Sequence, residues 1–263
     1  MTNILNTIVS YKREEVEKAK RAKPVIVLEA MDLFSRPTFS LSQFLKTAGN
    51  SGIIAEFKRR SPSRGLINDS AAVADTAAAY AKGGAAAISV LTDGPSFGGS
   101  LEDLVGARVA HVPLLRKEFI IDEYQIIEAK AHGADVILLI AAILTPAEVK
   151  LFAKVAHSIG LETILEVHDE TELAHITPLL NVIGVNNRNL KTFSVDLALS
   201  HHLASLLPKN QLKISESGIH STEDIAYLKR AGYNGFLIGE NFMKQADPGE
   251  AFSRFVQEIK QAI

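Results

Sequence analysis

Short apolar runs recur along the chain at 52–57, 86–91, 112–116, 135–140, 161–167, 181–186, 211–215 and 234–238. Their residues are apolar in succession rather than in alternation, the pattern of strands buried on both faces. Between the runs, apolar residues fall at helical spacing, at 71–82 (Ala-rich), 100–110, 122–132, 146–159, 170–176, 194–206 and 221–231. A last helical stretch, 249–262, follows the eighth run. Strand and helix in strict alternation predict a parallel sheet with right-handed crossovers. Eight such units in about 210 residues predict an α/β fold of the closed (β/α)8 kind, a TIM barrel. An open doubly wound sheet is the competitor. It usually has fewer strands and carries a glycine-rich turn after the first one. Here the first run leads into Lys58-Arg59-Arg60-Ser61-Pro62-Ser63, with no G-x-G-x-x-G, and the barrel is favoured.

Ahead of the first strand, residues 1–20 place Ile4, Leu5, Ile8 and Val9 at helical spacing among charged residues, which predicts an amphipathic helix. Residues 23–37 are less regular, and 39–46 predict a second short helix with Ser40 as its cap. No shift of composition and no linker divides the chain. The expectation is one domain over 1–263, with 1–48 as an N-terminal helical extension.

Composition narrows the function. The chain is 47% hydrophobic, enough for a large core. A net charge of −2 argues against nucleic acid or an anionic membrane as the main partner. The absence of cysteine excludes disulfide and thiolate chemistry. No apolar run approaches the roughly 18 residues of a membrane span, and the N-terminus lacks the continuous apolar core of a signal peptide. A cytoplasmic location is expected.

Barrels of this kind carry their sites at the C-terminal ends of the strands. The first strand ends with Glu56 and Lys58, which share a face because side chains two apart in a strand point the same way. Ser61 follows in the loop. The second ends with Ser89, then Thr92-Asp93, the third with Arg116-Lys117-Glu118-Phe119, and the fourth is apolar. The fifth ends with Glu166, the sixth with Asn186-Asn187-Arg188, the seventh with Ser215-Glu216-Ser217-Gly218, and the eighth with Gly239-Glu240. Ionisable residues thus close four strands: Glu56/Lys58, Lys117, Glu166 and Glu216. One buried charge is usually a structural pair; charges from four strands on one rim better fit a site for a polar, reactive substrate. Lys117 and Glu166 stand one strand apart across the opening, where an acid and a base can flank a substrate. Ser217-Gly218 and Gly239, after the seventh and eighth strands, suit a phosphate held by backbone N–H groups, and Ser61 lies next to the eighth strand.

Other residues are expected to be structural. The eight histidines show no metal-ligand spacing, so no metal is expected. His168 is read as a loop residue just past Glu166, His201 and His202 as surface, Arg59-Arg60 as a solvated turn, and 71–81 as a helix lying close against the barrel.

Seven segments carry a resemblance over essentially the whole chain: Ile-Ile-Ala-Glu-Phe-Lys-Arg-Arg-Ser-Pro-Ser (53–63), Ser-Val-Leu-Thr-Asp (89–93), Gly-Ser-Leu-Glu-Asp-Leu (99–104), Pro-Leu-Leu-Arg-Lys-Glu-Phe-Ile-Ile-Asp (113–122), Gly-Ala-Asp-Val-Ile-Leu-Leu-Ile (133–140), Gly-Val-Asn-Asn-Arg-Asn-Leu (184–190) and Ser-Glu-Ser-Gly-Ile (215–219). In these the chain resembles the indole-3-glycerol phosphate synthases, in their monofunctional form. The resemblance implies ring closure, decarboxylation and dehydration of 1-(2-carboxyphenylamino)-1-deoxyribulose 5-phosphate, without cofactor or metal. It implies Lys117 as the general acid for ring closure, Glu166 as the acid/base group of the dehydration, and Lys58 as a group that stabilises or protonates leaving oxygen. Glu56, Asn186 and Glu216 are implied to hold sugar hydroxyls and orient the lysines. Ser61, Ser217, Gly218, Gly239 and Glu240 are implied to cradle the phosphate, Phe119 to pack on the anthranilate ring, and Arg188 to support its carboxylate. The N-terminal segment is implied to cover the barrel mouth.

Departures are small. The Asp familiar after Lys117 is here Glu118, the Asp often found after Arg188 is Asn189, and the loop between strands five and six is about a residue shorter. The expected partner is a small phosphosugar, with no nucleic acid or membrane, and the expected state is a monomer or weak homo-oligomer. Two alternatives remain: another phosphosugar barrel, such as phosphoribosylanthranilate isomerase, which requires a Cys/Asp pair that this chain cannot supply, and a non-catalytic phosphate-binding barrel.

Overall fold

The computed structural model describes residues 4–47, 49–189 and 192–262. Eight strands form the barrel: β1 (Ile53–Phe57), β2 (Ala87–Leu91), β3 (Leu114–Lys117), β4 (Val136–Ile140), β5 (Glu162–Val167), β6 (Val182–Asn186), β7 (Leu212–Glu216) and β8 (Gly235–Ile238). All neighbours are parallel. Ile54 of β1 stands opposite Ala87 of β2 on one side and Leu237 of β8 on the other, and this double pairing closes the ring.

Strand alternation builds two apolar layers. Residues facing outward, such as Ile53, Ile88, Leu139, Leu165, Ile183 and Phe236, pack beneath the surrounding helices. Residues facing inward, including Ile54, Leu115, Leu138, Ile164, Val182, Ile214 and Leu237, fill the barrel. The next inward position toward the strands' C-terminal ends is then Glu56, Lys117, Ile140, Glu166, Gly184, Glu216 and Gly239 respectively. The barrel interior therefore changes from apolar to polar within one layer of side chains, and that step defines where chemistry can occur.

Each predicted strand is found within two residues of its expected limits. The helices at 73–82, 123–131, 146–158, 222–230 and 248–262 likewise match. Three differ. The stretch at 100–110 is a helix (Leu101–Gly106, with Ser100 accepting the Asp103 N–H) followed by a 3-10 turn, Ala107–Val109. Residues Glu170–His175 wind as 3-10 helix. The expected helix at 194–206 shortens to Ala198–Ala204, because Val195 forms an antiparallel bridge with Arg188 and so extends the backbone there. Periodicity had no purchase on the five-residue helix Val25–Glu29, on the four-residue helices Gly94–Phe97 and Glu240–Met243, or on the hairpin of Arg60–Ser61 with Gly65–Leu66.

The N-terminal extension begins with helix α1 (Ile4–Ala22); residues 1–3 and 48 of the expected extension lie outside the described residues. Two buried ionic clusters fasten it. At the top of the barrel, Lys12 Nζ lies 3.0 Å from Glu118, 3.1 Å from Asp93 and 3.0 Å from Glu15, while the Tyr11 hydroxyl donates to Asp93 at 2.9 Å. At the bottom, Asp135, which immediately precedes β4, accepts from Arg36 and Arg108, each at 2.5 Å, and from the N–H groups of Phe39 (2.9 Å) and Leu114 (2.8 Å). Ser40 caps the helix Leu41–Lys46, as expected, and its hydroxyl also donates to Glu162 at the start of β5.

Asp135 joins the extension, the Arg108 turn and β3 through one carboxylate with no exposure. Its removal leaves two guanidinium groups and two N–H groups without their acceptor. Asp135→Ala is therefore expected to lower stability by about 3–5 kcal/mol, read as a lower midpoint in urea denaturation.

Candidate active site

The centre of the site is Lys117, the last residue of β3. Its ammonium donates to Glu166 Oε2 at 2.7 Å and to Glu216 Oε2 at 2.6 Å, so one cation serves two carboxylates from β5 and β7. The two carboxylates are nearly fully buried, and the Lys117 side chain keeps 13% of its surface exposed. A second pair stands beside them: Lys58 Nζ donates to Glu56 Oε1 at 2.6 Å. Burial pulls the Lys117 ammonium down, but Glu166, Glu216 and Glu56 outweigh it and hold the group well above the ordinary lysine range. Burial pushes Glu166 up, yet Lys117 and His168 overcome it and keep this carboxyl well below the usual range. Glu216 goes the other way. Burial raises it to about 7, because Lys117 only partly offsets burial and the Glu166 charge opposes ionisation.

Glycines make the room for these carboxylates. A Cβ on Gly184, the inward position of β6, would sit 2.4 Å from Glu216 Oε1; a Cβ on Gly239 would sit 2.4 Å from Glu56 Oε1. Glu216 Oε1 is buried and has no hydrogen-bond partner among the described residues. A buried oxygen in that condition is costly unless a ligand or water meets it, and Glu216 is one of the residues that line the cavity above the barrel.

Every residue singled out from the sequence lines that one cavity: Glu56, Lys58, Ser61, Lys117, Phe119, Glu166, Asn186, Arg188, Glu216, Ser217, Gly218, Gly239 and Glu240. Asn186 Oδ1 accepts from the Ser217 hydroxyl at 2.9 Å and from the Arg188 N–H at 3.0 Å. Ser217 and Gly218 both adopt positive φ, +68° and +78°, which turns the chain sharply after β7. For Ser217 that is a strained conformation, of the kind concentrated at ligand sites. Arg188 lies 3.9 Å from Glu240, which also meets Arg64 at 3.1 Å. Apolar side chains also line the cavity: Phe119 and Phe97 (ring centroids 6.1 Å apart), Phe193, and Ile4, Leu5 and Ile8 from α1.

One expectation needs correction. Arg59 is not in a solvated turn: its guanidinium grips Asp103 with contacts of 2.5 and 2.7 Å and lies 5.0 Å over the Phe57 ring, because Asp103 is presented by the helix Leu101–Gly106 beyond β2; Arg60 is exposed as expected. His168 follows β5 as a loop residue, as expected, and its ring packs against Glu166 and Glu172. Sequence reasoning also passed over Asn187, whose amide donates to Ser215 Oγ and to the carbonyls of Glu216 and Ser217, pinning the end of β7. It passed over the pairing of Glu118 with Lys12. Spacing cannot reveal such contacts, since their partners lie 28 or more residues apart. Among the described residues no cluster of three or more His, Asp or Glu could hold a metal ion, and no helix is long and apolar enough to cross a membrane.

The tight fit at Gly184 yields a test. In Gly184→Ala the new methyl group displaces the Glu216 carboxylate, and a crystal structure of the variant should show the Lys117–Glu216 contact broken with the Lys117–Glu166 contact kept. An unmoved Glu216 would contradict the close approach.

The site and the fold together have counterparts. A family model described as indole-3-glycerol phosphate synthase matches residues 5–255. Among curated relatives, the indole-3-glycerol phosphate synthase of Bacteroides thetaiotaomicron is 44% identical over 261 residues, 99% of this chain and 100% of its own length. That of Desulfosudis oleivorans is 46% identical over 252 residues, covering 94% and 96%. Chromobacterium violaceum supplies another at 42%, covering 97% and 98%. Solved structures with a like fold include the tryptophan synthase α-subunit of Pyrococcus furiosus (TM-score 0.60, 15% identity, 81% of this chain and 98% of that one). A second is described as native KDPGal (TM-score 0.56, 14% identity, 80% and 93%). At such low identity these two speak for the barrel alone. The match across 5–255 and the relatives at 42–46% identity over nearly the full length establish that this chain belongs to the indole-3-glycerol phosphate synthase family.

Proposed function

We propose that the chain acts as an indole-3-glycerol phosphate synthase, a carboxy-lyase of tryptophan biosynthesis, with the Lys117–Glu166–Glu216 cluster as its acid–base centre. The observation that carries this reading is the single ammonium shared by two buried carboxylates at the floor of the cavity. A general acid must hold its proton until the substrate takes it. The surrounding carboxylates keep Lys117 charged, and the ionised Glu166 stands ready as a base.

The substrate is 1-(2-carboxyphenylamino)-1-deoxyribulose 5-phosphate. In ring closure, the ring carbon bearing the carboxylate bonds to the ketone carbon, and Lys117 gives its proton to the ketone oxygen. Carbon dioxide leaves and restores aromaticity. In the dehydration, the hydroxyl left at the former ketone carbon departs as water. Lys58 protonates it, and Glu166 accepts the proton released as the indole forms. Glu56 orients Lys58; Asn186 and Glu216 take sugar hydroxyls, with the unpartnered Glu216 Oε1 as an acceptor. The backbone at Ser217, Gly218, Gly239 and Glu240, with the Ser61 hydroxyl, receives the phosphate. Phe119 packs on the anthranilate ring, Arg188 meets its carboxylate, and α1 closes the mouth with Ile4, Leu5 and Ile8, which keeps water from the reacting centre. The chain functions as one unit in the cytoplasm, as a monomer or weak homo-oligomer, and takes no cofactor.

Incubation with this substrate in the presence of a chelator is expected to produce indole absorbance and fluorescence. A folded protein that forms no product would overturn the reading. Lys117→Ala is expected to cut kcat by about 10²–10⁴-fold in a chain that still folds by circular dichroism, with a lowered thermal midpoint because two carboxylates lose their cation; near-normal turnover would remove Lys117 from the acid role.

A further inference from the structure

Glu166 is held by cations at both of its oxygens. Oε2 takes Lys117, and Oε1 lies 3.2 Å from His168 Nε2. The arrangement follows from strand alternation: His168 is two residues beyond Glu166 and projects on the same side. The ring's other nitrogen, Nδ1, lies 3.3 Å from Glu172 Oε2, which also accepts the His168 N–H at 2.6 Å. Glu172 is fixed in turn, because Asp169 caps the 3-10 helix Glu170–His175 that carries it, accepting from the Glu172 N–H.

A neutral imidazole has one donor and one acceptor nitrogen; only the imidazolium presents N–H groups on both sides. Here both nitrogens face carboxylate oxygens, so the geometry calls for the charged ring. The contact with Glu166 lies off the line of a good hydrogen bond, and its pull is chiefly electrostatic. The charged groups that bear on the ring are Glu166 from β5, Glu172 from the 3-10 helix and the adjacent Asp169, all acidic. Burial lowers the ring's affinity for its proton, but these carboxylates lift it to about 10.

Among the described residues Glu216 has no such second cation: it shares Lys117 with Glu166, and its other oxygen is unpartnered. When Lys117 gives its proton to a substrate, the two carboxylates lose their common counter-charge, and two like charges so placed cannot both stay ionised at low cost. We propose that His168 is a positioning residue that breaks this tie: its imidazolium holds Glu166 ionised and oriented as the base for the later dehydration, so that when Lys117 has given up its proton Glu216 is the carboxylate that is neutralised, by a proton from solvent. This rests on the synthase reading above and names how that site keeps its two carboxylates in different roles.

Two measurements separate this inference from that reading. The first needs no turnover: the ring nitrogens of His168 are followed by NMR in the whole wild-type chain. A doubly protonated ring at pH 8 is expected, and in Glu172→Gln its titration midpoint should fall. A neutral tautomer at pH 8 overturns the proposal whether or not the chain makes product. The second is the pH profile of kcat in His168→Gln, which removes the charge but keeps an amide donor. Loss of the imidazolium raises the Glu166 pKa, and the ionised base is then lost earlier as pH falls. The acid limb should therefore move to higher pH by about one unit or more, with KM changed less than about threefold. An acid limb that stays in place in the folded variant overturns the proposal.

Discussion

One ammonium against two buried carboxylates is the constraint on which the rest of this site depends. Lys117, Glu166 and Glu216 meet within 2.7 Å contacts at the point where the barrel interior turns from apolar to polar. Each rises from an inward apolar neighbour two residues earlier in its strand: Leu115, Ile164 and Ile214. That layer excludes water from below, so the charges interact through a medium of low dielectric and their attractions and repulsions are strong. A buried charge without its partner costs several kcal/mol (about 3–5), and the cluster is stable only if its geometry is held. Gly184 and Gly239 hold it by leaving space, and Asn187 holds it by fixing the end of β7. The outcome is a set of groups driven apart in proton affinity: Lys117 upward, Glu166 downward, Glu216 upward to about 7.

How much of this was legible in the sequence follows from range. The barrel was legible because its signal is periodic and repeated. Eight apolar runs with helical patterns between them leave few other topologies, and the register followed once β1 met β8. The site was legible for a related reason. In a closed barrel all strand ends share one rim, so a residue's position in its strand nearly fixes its position in the site. Glu56, Lys117, Glu166 and Glu216 converge in one cavity because they occupy equivalent inward positions. Short elements were not legible, since four residues such as Gly94–Phe97 complete barely one helical turn and carry no period. Pairings were not legible either. Arg59 looked solvated because Asp103, 44 residues away, supplies its partner only after folding. His168 is the loop residue it was read as, but its place outside the strand says nothing of how its ring is held between Glu166 and Glu172.

The extension shows how a cover can be tied to the chemistry beneath it. Lys12 of α1 is an ammonium with almost no exposure, and its carboxylate partners Asp93 and Glu118 come from the loops after β2 and β3. Burial opposes its charge, but Glu118 and Asp93 outweigh that and keep it charged. The same helix sends Ile4, Leu5 and Ile8 over the cavity. An apolar cover held only by apolar contacts could slide, whereas a buried ion pair has one geometry at which its charges are satisfied. The ionic clasp therefore fixes the register of the apolar lid.

Glu118 carries that coupling further. One of its oxygens meets Lys12 and accepts the Phe119 N–H at 2.8 Å; the other accepts the Thr92 hydroxyl at 2.7 Å and faces Arg116. It is flanked in the chain by Lys117 and Phe119, so its side chain sets the backbone from which both project into the cavity. An aspartate here would be shorter by one carbon–carbon bond, about 1.5 Å, and could not reach Lys12 and Thr92 together from the same backbone. Glu118 is therefore, in the folded chain, the joint between the cover and the residues it covers.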